Sequence, residues 1–199
     1  MGVIKTALEI ALEKTENVKS DKSSINQFEA RQNGKKLANA FLAGGADLAD
    51  EIKKACANNK EKTFLESLKQ GIFDVFITQI ALPEKKDDEK KAEKLGEGFA
   101  LIIDNKEFPA MYGQLIQIYS QYLQEAAQYE QMIRQQYAPK LRQKEEELAR
   151  RLGREVRIDP LQDPEFAAFY SQHMNALKGN YEPVVEQAKE EARRMFSND

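Results

Sequence analysis

Apolar and polar positions along this chain recur mostly at steps of three and four, the period of an α-helix, and the sharpest case lies between residues 113 and 136. Gln114, Gln117, Gln121, Gln124, Gln128, Gln131 and Gln135 repeat there without a miss, which keeps all seven on one narrow strip of a helix with about 3.6 residues per turn. Leu115, Ile118, Tyr119, Tyr122, Ala126, Tyr129, Met132 and Ile133 follow the same rhythm half a turn away and predict an apolar face. One side of this helix is suited to a core. The other is polar yet nearly uncharged, with only Glu125, Glu130 and Arg134 carrying charge.

The same pattern, read from the start, predicts a largely helical chain. Ile4, Ala7, Leu8, Ala11, Thr15 and Val18 give a first amphipathic helix, and the loss of apolar rhythm over 20–24 predicts a turn. Ser24, with Gln27 three residues later, is placed to cap a second helix bearing Ile25, Phe28, Leu37, Phe41 and Leu42; Gly34 loosens its middle and Gly44-Gly45 end it. Asp47 caps a short third helix through Ile52 and Cys56, closed by Asn58-Asn59. From Phe64 to Ile80 the chain is apolar over most of a helix circumference, the mark of a central element, and Pro83 follows it. The charged run 84–94 reads as the exposed start of a helix reaching Leu95, Phe99 and Ile102.

Asn105 and Pro109 mark the entry to the long helix, whose stripe continues through Leu141, Leu148 and Leu152 to a glycine stop at Gly153. Pro139 removes a hydrogen bond and crowds the carbonyl of Gln135, at a cost of about 3 kcal/mol, so a kink is expected there. Residues 154–159 alternate as a short extended segment would. Asp163-Pro164-Glu165 then starts a helix with the stripe Phe166, Phe169, Tyr170, His173, Met174 and Leu177, ended by Gly179-Asn180. Pro183 opens a last helix through Val185, Ala188, Ala192, Met195 and Phe196. The predicted fold is all-α: a helical bundle over 1–105, then a long Pro-kinked helix with C-terminal helices packing back on it over 106–199, or one continuous domain.

Composition narrows the setting. A chain of 199 residues can bury a core without disulfides, and a lone cysteine, Cys56, cannot form an internal bridge, so a cytoplasmic compartment is expected. The longest apolar-rich run, 72–82, is too short to cross a bilayer. A formal charge of -3 gives no global attraction to nucleic acid or to an anionic membrane.

Candidate chemistry is sparse. The single histidine, His173, sits on an apolar stripe with Tyr170 where a paired metal site in a helical bundle would place a carboxylate, so a packing role is expected and no metal or cofactor is called for. No serine or cysteine stands beside a recognisable base, and no phosphate-binding glycine loop occurs, so an enzyme is not expected. Two surface candidates remain. The glutamine strip with Tyr119, Tyr122 and Tyr129 suits a helix seam, because amides can pair with amides and cost less to desolvate than charges. The segment 134–157 carries eight basic and four acidic residues, and Lys140, Lys144, Arg151 and Arg154 could share a face for binding a polyanion.

The stretch from Leu141 to Phe166, with Arg-Gln-Lys-Glu-Glu-Glu-Leu, Leu-Gly-Arg-Glu-Val-Arg-Ile-Asp-Pro and Asp-Pro-Glu-Phe, resembles a small family of uncharacterised bacterial helical proteins. That resemblance implies no activity and no site residues. The residues themselves point to a helical interaction or scaffold protein that self-associates, as a homodimer or larger homo-oligomer, through the long helix, or else joins another helical protein. Binding of nucleic acid through the basic segment is the alternative.

Overall fold

A computed structural model describes residues 7–45, 47–59 and 61–197, except the side chains of 7–23 and of Asn58. The fold is all-α: six α-helices are present among the described residues, with no strand. They are α1 (Ala7–Leu42), α2 (Leu48–Asn58), α3 (Lys62–Gln79), α4 (Asp87–Ala100), α5 (Phe108–Leu152) and α6 (Pro164–Ser197), with a single 3-10 turn at Pro160–Gln162. The helices form two compact units that do not follow a single cut in sequence: one takes 1–79, 94–105 and 195–199, the other 80–93 and 106–194.

In the first unit α1 and α3 run side by side in the same direction. Arg31 pairs with Asp74 at 2.7 Å and Phe41 lies 5.9 Å from Phe76, while Ser24 and Phe28 share a cleft with Thr63 and Ser67, so residue numbers rise together along both helices. Small residues make this approach possible: Ala30 and Ala38 are fully buried, and Gly34 lies against Gly71. Beyond the crossing, Phe41, Phe73, Phe76 and Phe99 form an aromatic core in which Phe73 and Phe76 each meet Phe99 edge-on. Gly98 leaves room for these rings, since a Cβ there would come within 2.6 Å of Phe76. Asp47 caps α2 by accepting from the amides of Ala49 and Asp50, as its sequence position predicts.

The expected turn over 20–24 is absent, and α1 continues through it, so Ser24 is an interior residue rather than a cap. Serine, aspartate and lysine interrupt an apolar stripe but cost a helix only a few tenths of a kcal/mol each, about 0.7 at most. No glycine or proline stands there to stop the helix.

In the second unit α5 and α6 form an antiparallel hairpin. Tyr122 meets Tyr181 at 5.1 Å and Tyr137 meets Phe166 at 5.3 Å, so numbers fall on one helix as they rise on the other. The first turns of α4 lie along α5, where the Tyr112 hydroxyl donates to the Ala92 carbonyl and the Ser120 hydroxyl to Glu89. Helix α5 passes Pro139 without interruption and ends at Gly153, whose φ of 64° is the left-handed conformation that glycine adopts without strain.

Two expectations are corrected here. The segment 154–159 has no strand partner among the described residues and forms an irregular link. The break at Gly179-Asn180 does not occur either: α6 continues through Pro183, and the anticipated last two helices are one. Buried Leu177, Val185, Ala188 and Ala192 supply a stripe on both sides of the proline, and packing along that stripe outweighs the local loss of one hydrogen bond.

Candidate functional site

Gln114, Gln117, Gln121, Gln124, Gln128, Gln131 and Gln135 all face solvent on a continuous helix, over about 32 Å at 1.5 Å per residue. The strip is therefore intact as a surface, but no helix among the described residues covers it, and the seam expected of these seven amides is not formed within the chain. Gln121 is engaged locally, donating to Glu125 one turn on at 3.1 Å. The charges that border the strip are satisfied within the chain. Glu130 and Arg134 pair at 2.8 Å, and the Glu125 carboxylate accepts from the Tyr181 hydroxyl and from Gln121, which hold it below the usual carboxylate range. What remains exposed is a neutral amide surface, edged by Tyr129 and Met132, each 38% exposed.

The three tyrosines assigned to this seam do not stay together. Tyr119 and Tyr122 are buried within the chain's own core, and only Tyr129 is open to a partner. The reason is geometric, since residues 115, 119 and 122 fall on the buried stripe of α5. The Tyr119 hydroxyl has no hydrogen-bond partner among the described residues, and burial pushes its ionisation upward.

The basic candidates divide in the same way. Arg151 and Arg154 are exposed and without an ion-pair partner among the described residues. Lys140 and Lys144 are not free. Lys144 binds both oxygens of Asp163, at 2.7 and 2.9 Å, and also meets Glu165 at 2.9 Å; Lys140 pairs with Glu165 at 2.8 Å.

Sequence reasoning missed this polar clasp, which joins α5 to the start of α6. Asp163 is 5% exposed and caps α6 by accepting from the amide of Glu165. The Tyr137 hydroxyl donates to Asp163 at 3.1 Å, while the tyrosine ring packs on Phe166 and Phe169 and lies beneath the two lysine ammonium groups. Ile133, Tyr137 and Phe166 form the core under it, and the Glu145 carboxylate accepts from the amide of Ile158, which fastens the link. The only sequence signal was the cap motif at Asp163.

The electrostatics of the clasp hold it in one charge state. Hydrogen bonds from Lys140 and Lys144 hold the Glu165 carboxyl down at about 2, and the bond from Lys144 holds Asp163 below its usual value against its burial. Asp163 and Glu165 in turn raise Lys144. Burial, with the carboxylate of Asp163, raises Tyr137 against the opposing charge of Lys144. Groups held this way stay charged, or in the case of Tyr137 neutral, near pH 7. They are suited to fastening helices rather than to passing protons.

Elsewhere, His173 packs edge-on to Phe169 at 4.5 Å and Cys56 is half-buried. A cleft of about 540 Å³ in the second unit is lined by Leu82, Pro83, Tyr122 and Val185 with a charged rim. Of its rim charges, Lys178 pairs with Glu182 and Lys189 with Glu186 along α6, and Glu84 stands outside that helix. No helix among the described residues is long and apolar enough to cross a membrane.

These features define an all-α protein with an uncovered amide face on its longest helix. Residues 49–194 match a family of unknown function (DUF6657), and the chain belongs to that family. No curated protein and no solved structure matches it.

Proposed function

We propose that this protein is a non-enzymatic helical interaction protein that self-associates through the exposed face of α5. The observation that carries the reading is the neutrality of that face: seven outward amides, from Gln114 and Gln117 at one end to Gln131 and Gln135 at the other, with the three charges of that stretch, Glu125, Glu130 and Arg134, already engaged inside the chain. An amide surface sheds water at lower cost than a charged one, and facing amides restore one another's hydrogen bonds. Tyr129 and Met132 add an adaptable apolar edge of the kind that anchors contacts between helices. A cytoplasmic setting fits the lone cysteine.

Polyanion binding through the basic segment draws less support, because Lys140 and Lys144 are engaged with Asp163 and Glu165. Sedimentation velocity on the full chain at tens of micromolar tests the proposal. The expected result is a dimer or larger species that dissociates when Gln124→Glu and Gln128→Glu place like charges on the face. A strict monomer, or an oligomer indifferent to those changes, overturns it.

A further inference from the structure

The cleft of the second unit contains a polar group with no partner in the fold. Tyr122 lines this cleft and is only 8% exposed, with its ring set edge-on to Tyr181 at 5.1 Å, yet its hydroxyl bonds to nothing among the described residues. A phenol that is nine-tenths buried ordinarily has a hydrogen-bond partner. Burial raises the ionisation of this one, with smaller contributions from Tyr170, Glu182 and Glu84, so the hydroxyl stays neutral near pH 7 and its oxygen can accept. Glu182 and Glu84, which act on it electrostatically, also line the cleft.

Three elements therefore meet here: α5 brings the hydroxyl, α6 brings Glu182, and the turn before α4 brings Glu84. The backbone of that turn is held, since the amides of Glu84 and Lys85 both donate to Asp88 at 3.2 Å. The Glu84 carboxylate has no ion-pair partner among the described residues, whereas Lys178 and Lys189 are engaged by Glu182 and Glu186 at 3.8 and 2.7 Å. The lining thus carries three carboxylates against two ammonium groups, an excess of one negative charge.

Leu82, Pro83 and Val185 supply an apolar wall, and about 540 Å³ falls within the range of small-ligand sites, about 300–1,000 Å³. An anion would meet an unpaired carboxylate and two lysines that already have partners. An uncharged apolar compound would leave Glu84 and the Tyr122 hydroxyl unanswered. An ammonium group has three hydrogens to donate, enough for both, while a carbon body attached to it covers the apolar wall.

We propose that this cleft binds a small primary amine in its ammonium form, with an aromatic or aliphatic body of several carbons. Glu84 pairs with the charge, the Tyr122 hydroxyl accepts a hydrogen bond, and Leu82 and Val185 hold the body. None of the strip glutamines lines the cleft, so this reading stands or falls independently of self-association through α5.

Isothermal titration calorimetry of the full chain with 2-phenylethylamine and with hexylamine tests it. Phenylethanol and phenylacetate serve as uncharged and anionic counterparts, and methylamine as the charge without a body. Saturable binding of at least one of the two larger amines is expected, weakened about tenfold or more in each of those three comparisons. Glu84→Gln and Tyr122→Phe are each expected to weaken it about tenfold. Because the hydroxyl has no partner in the fold, Tyr122→Phe should leave the thermal midpoint of the protein alone unchanged or higher, which separates a lost contact from a damaged fold. A lower midpoint would mean that the hydroxyl is engaged within the chain, and it overturns the proposal. So does the absence of saturable binding by both amines, binding matched by phenylethanol or methylamine, or binding indifferent to either variant. Phenylacetate binding that depends on Lys178 or Lys189 reassigns the cleft to anions and also overturns it.

Discussion

Gly34 of α1 and Gly71 of α3 lie backbone to backbone, each in space that no side chain could share. A Cβ on Gly34 would run into the Leu68 carbonyl oxygen and stand 3.1 Å from the Gly71 Cα, and one on Gly71 would run into the Arg31 carbonyl. The obstacle at both positions is main chain, which cannot rotate aside as a side chain can. The two glycines therefore set the distance between the helices, and with it the register that brings Arg31 to Asp74 and Phe41 to Phe76.

Helix propensity alone says that glycine to alanine inside a helix gains up to about 1 kcal/mol. At the crossing the sign reverses. Gly34→Ala and Gly71→Ala are each expected to lower stability by about 1–3 kcal/mol, as overpacking does when the helices must separate. Gly179, exposed in α6 with nothing near its would-be Cβ, is the control, and Gly179→Ala is expected to raise stability by about 0.5–1 kcal/mol. Urea unfolding followed by circular dichroism measures all three. A gain at either crossing glycine would refute the close approach.

Pro183 supplies a second test because it lies inside a helix that continues past it. It has no amide hydrogen to offer the Gly179 carbonyl, and its ring crowds that group. Pro183→Ala restores the bond at an exposed position and is expected to raise the thermal midpoint, with a gain of up to about 3 kcal/mol. A lower midpoint would mean that α6 is broken there, as the local sequence suggests.

Residues whose effect is local were legible in the sequence: Asp47 and Asp163 each begin a helix through bonds to residues next to them, and Gly153 ends one through its own left-handed backbone. The two missed helix continuations share one cause. At 20–24 and at 179–183 the local signal for a break costs about 1–3 kcal/mol or less, and continuous helix overrides it. Gly34 read as a loosening of α1, because its partner lies 37 positions further along the chain. Gln114, Gln117 and Gln131 stand outward with the rest of their strip as the helical period requires, while Tyr129 and Met132 of the expected apolar face are exposed. Yet no sequence pattern tells a chain's own core from a partner's, and so Tyr119 and Tyr122, on the apolar face, serve the chain's own core rather than the seam expected of them. Lys140 and Lys144 looked free for the same reason, since Asp163 and Glu165 are brought to them only when the hairpin closes.

Closure of that hairpin gives stability a defined dependence on acid. In an unfolded chain, carboxylates take up protons as pH falls through about 4, whereas folded Glu165 stays ionised down to about 2 and Asp163 is also held low. Between those limits the unfolded chain binds more protons than the folded one, so stability falls with falling pH and is fully present only above the unfolded values. Lys144 has the opposite sign: its raised value gives stability that is complete at neutral pH and is lost only in strong alkali. In the first unit Asp74 adds to the acid effect, because hydrogen bonds from Arg31 and Gln70 outweigh the burial that would raise it. Thermal midpoints measured from neutral pH down to about pH 2 are therefore expected to drop most steeply at the acid end of that range. The drop should be shallower in Glu165→Gln, and also in Asp163→Asn, which keeps an oxygen to cap α6 while removing the charge that Lys144 binds. Asp163→Ala, which loses cap and charge together, is expected to have the lowest neutral midpoint of the three. If the neutral variants follow the parent curve in parallel through the acid range, the clasp does not control the acid response of the hairpin.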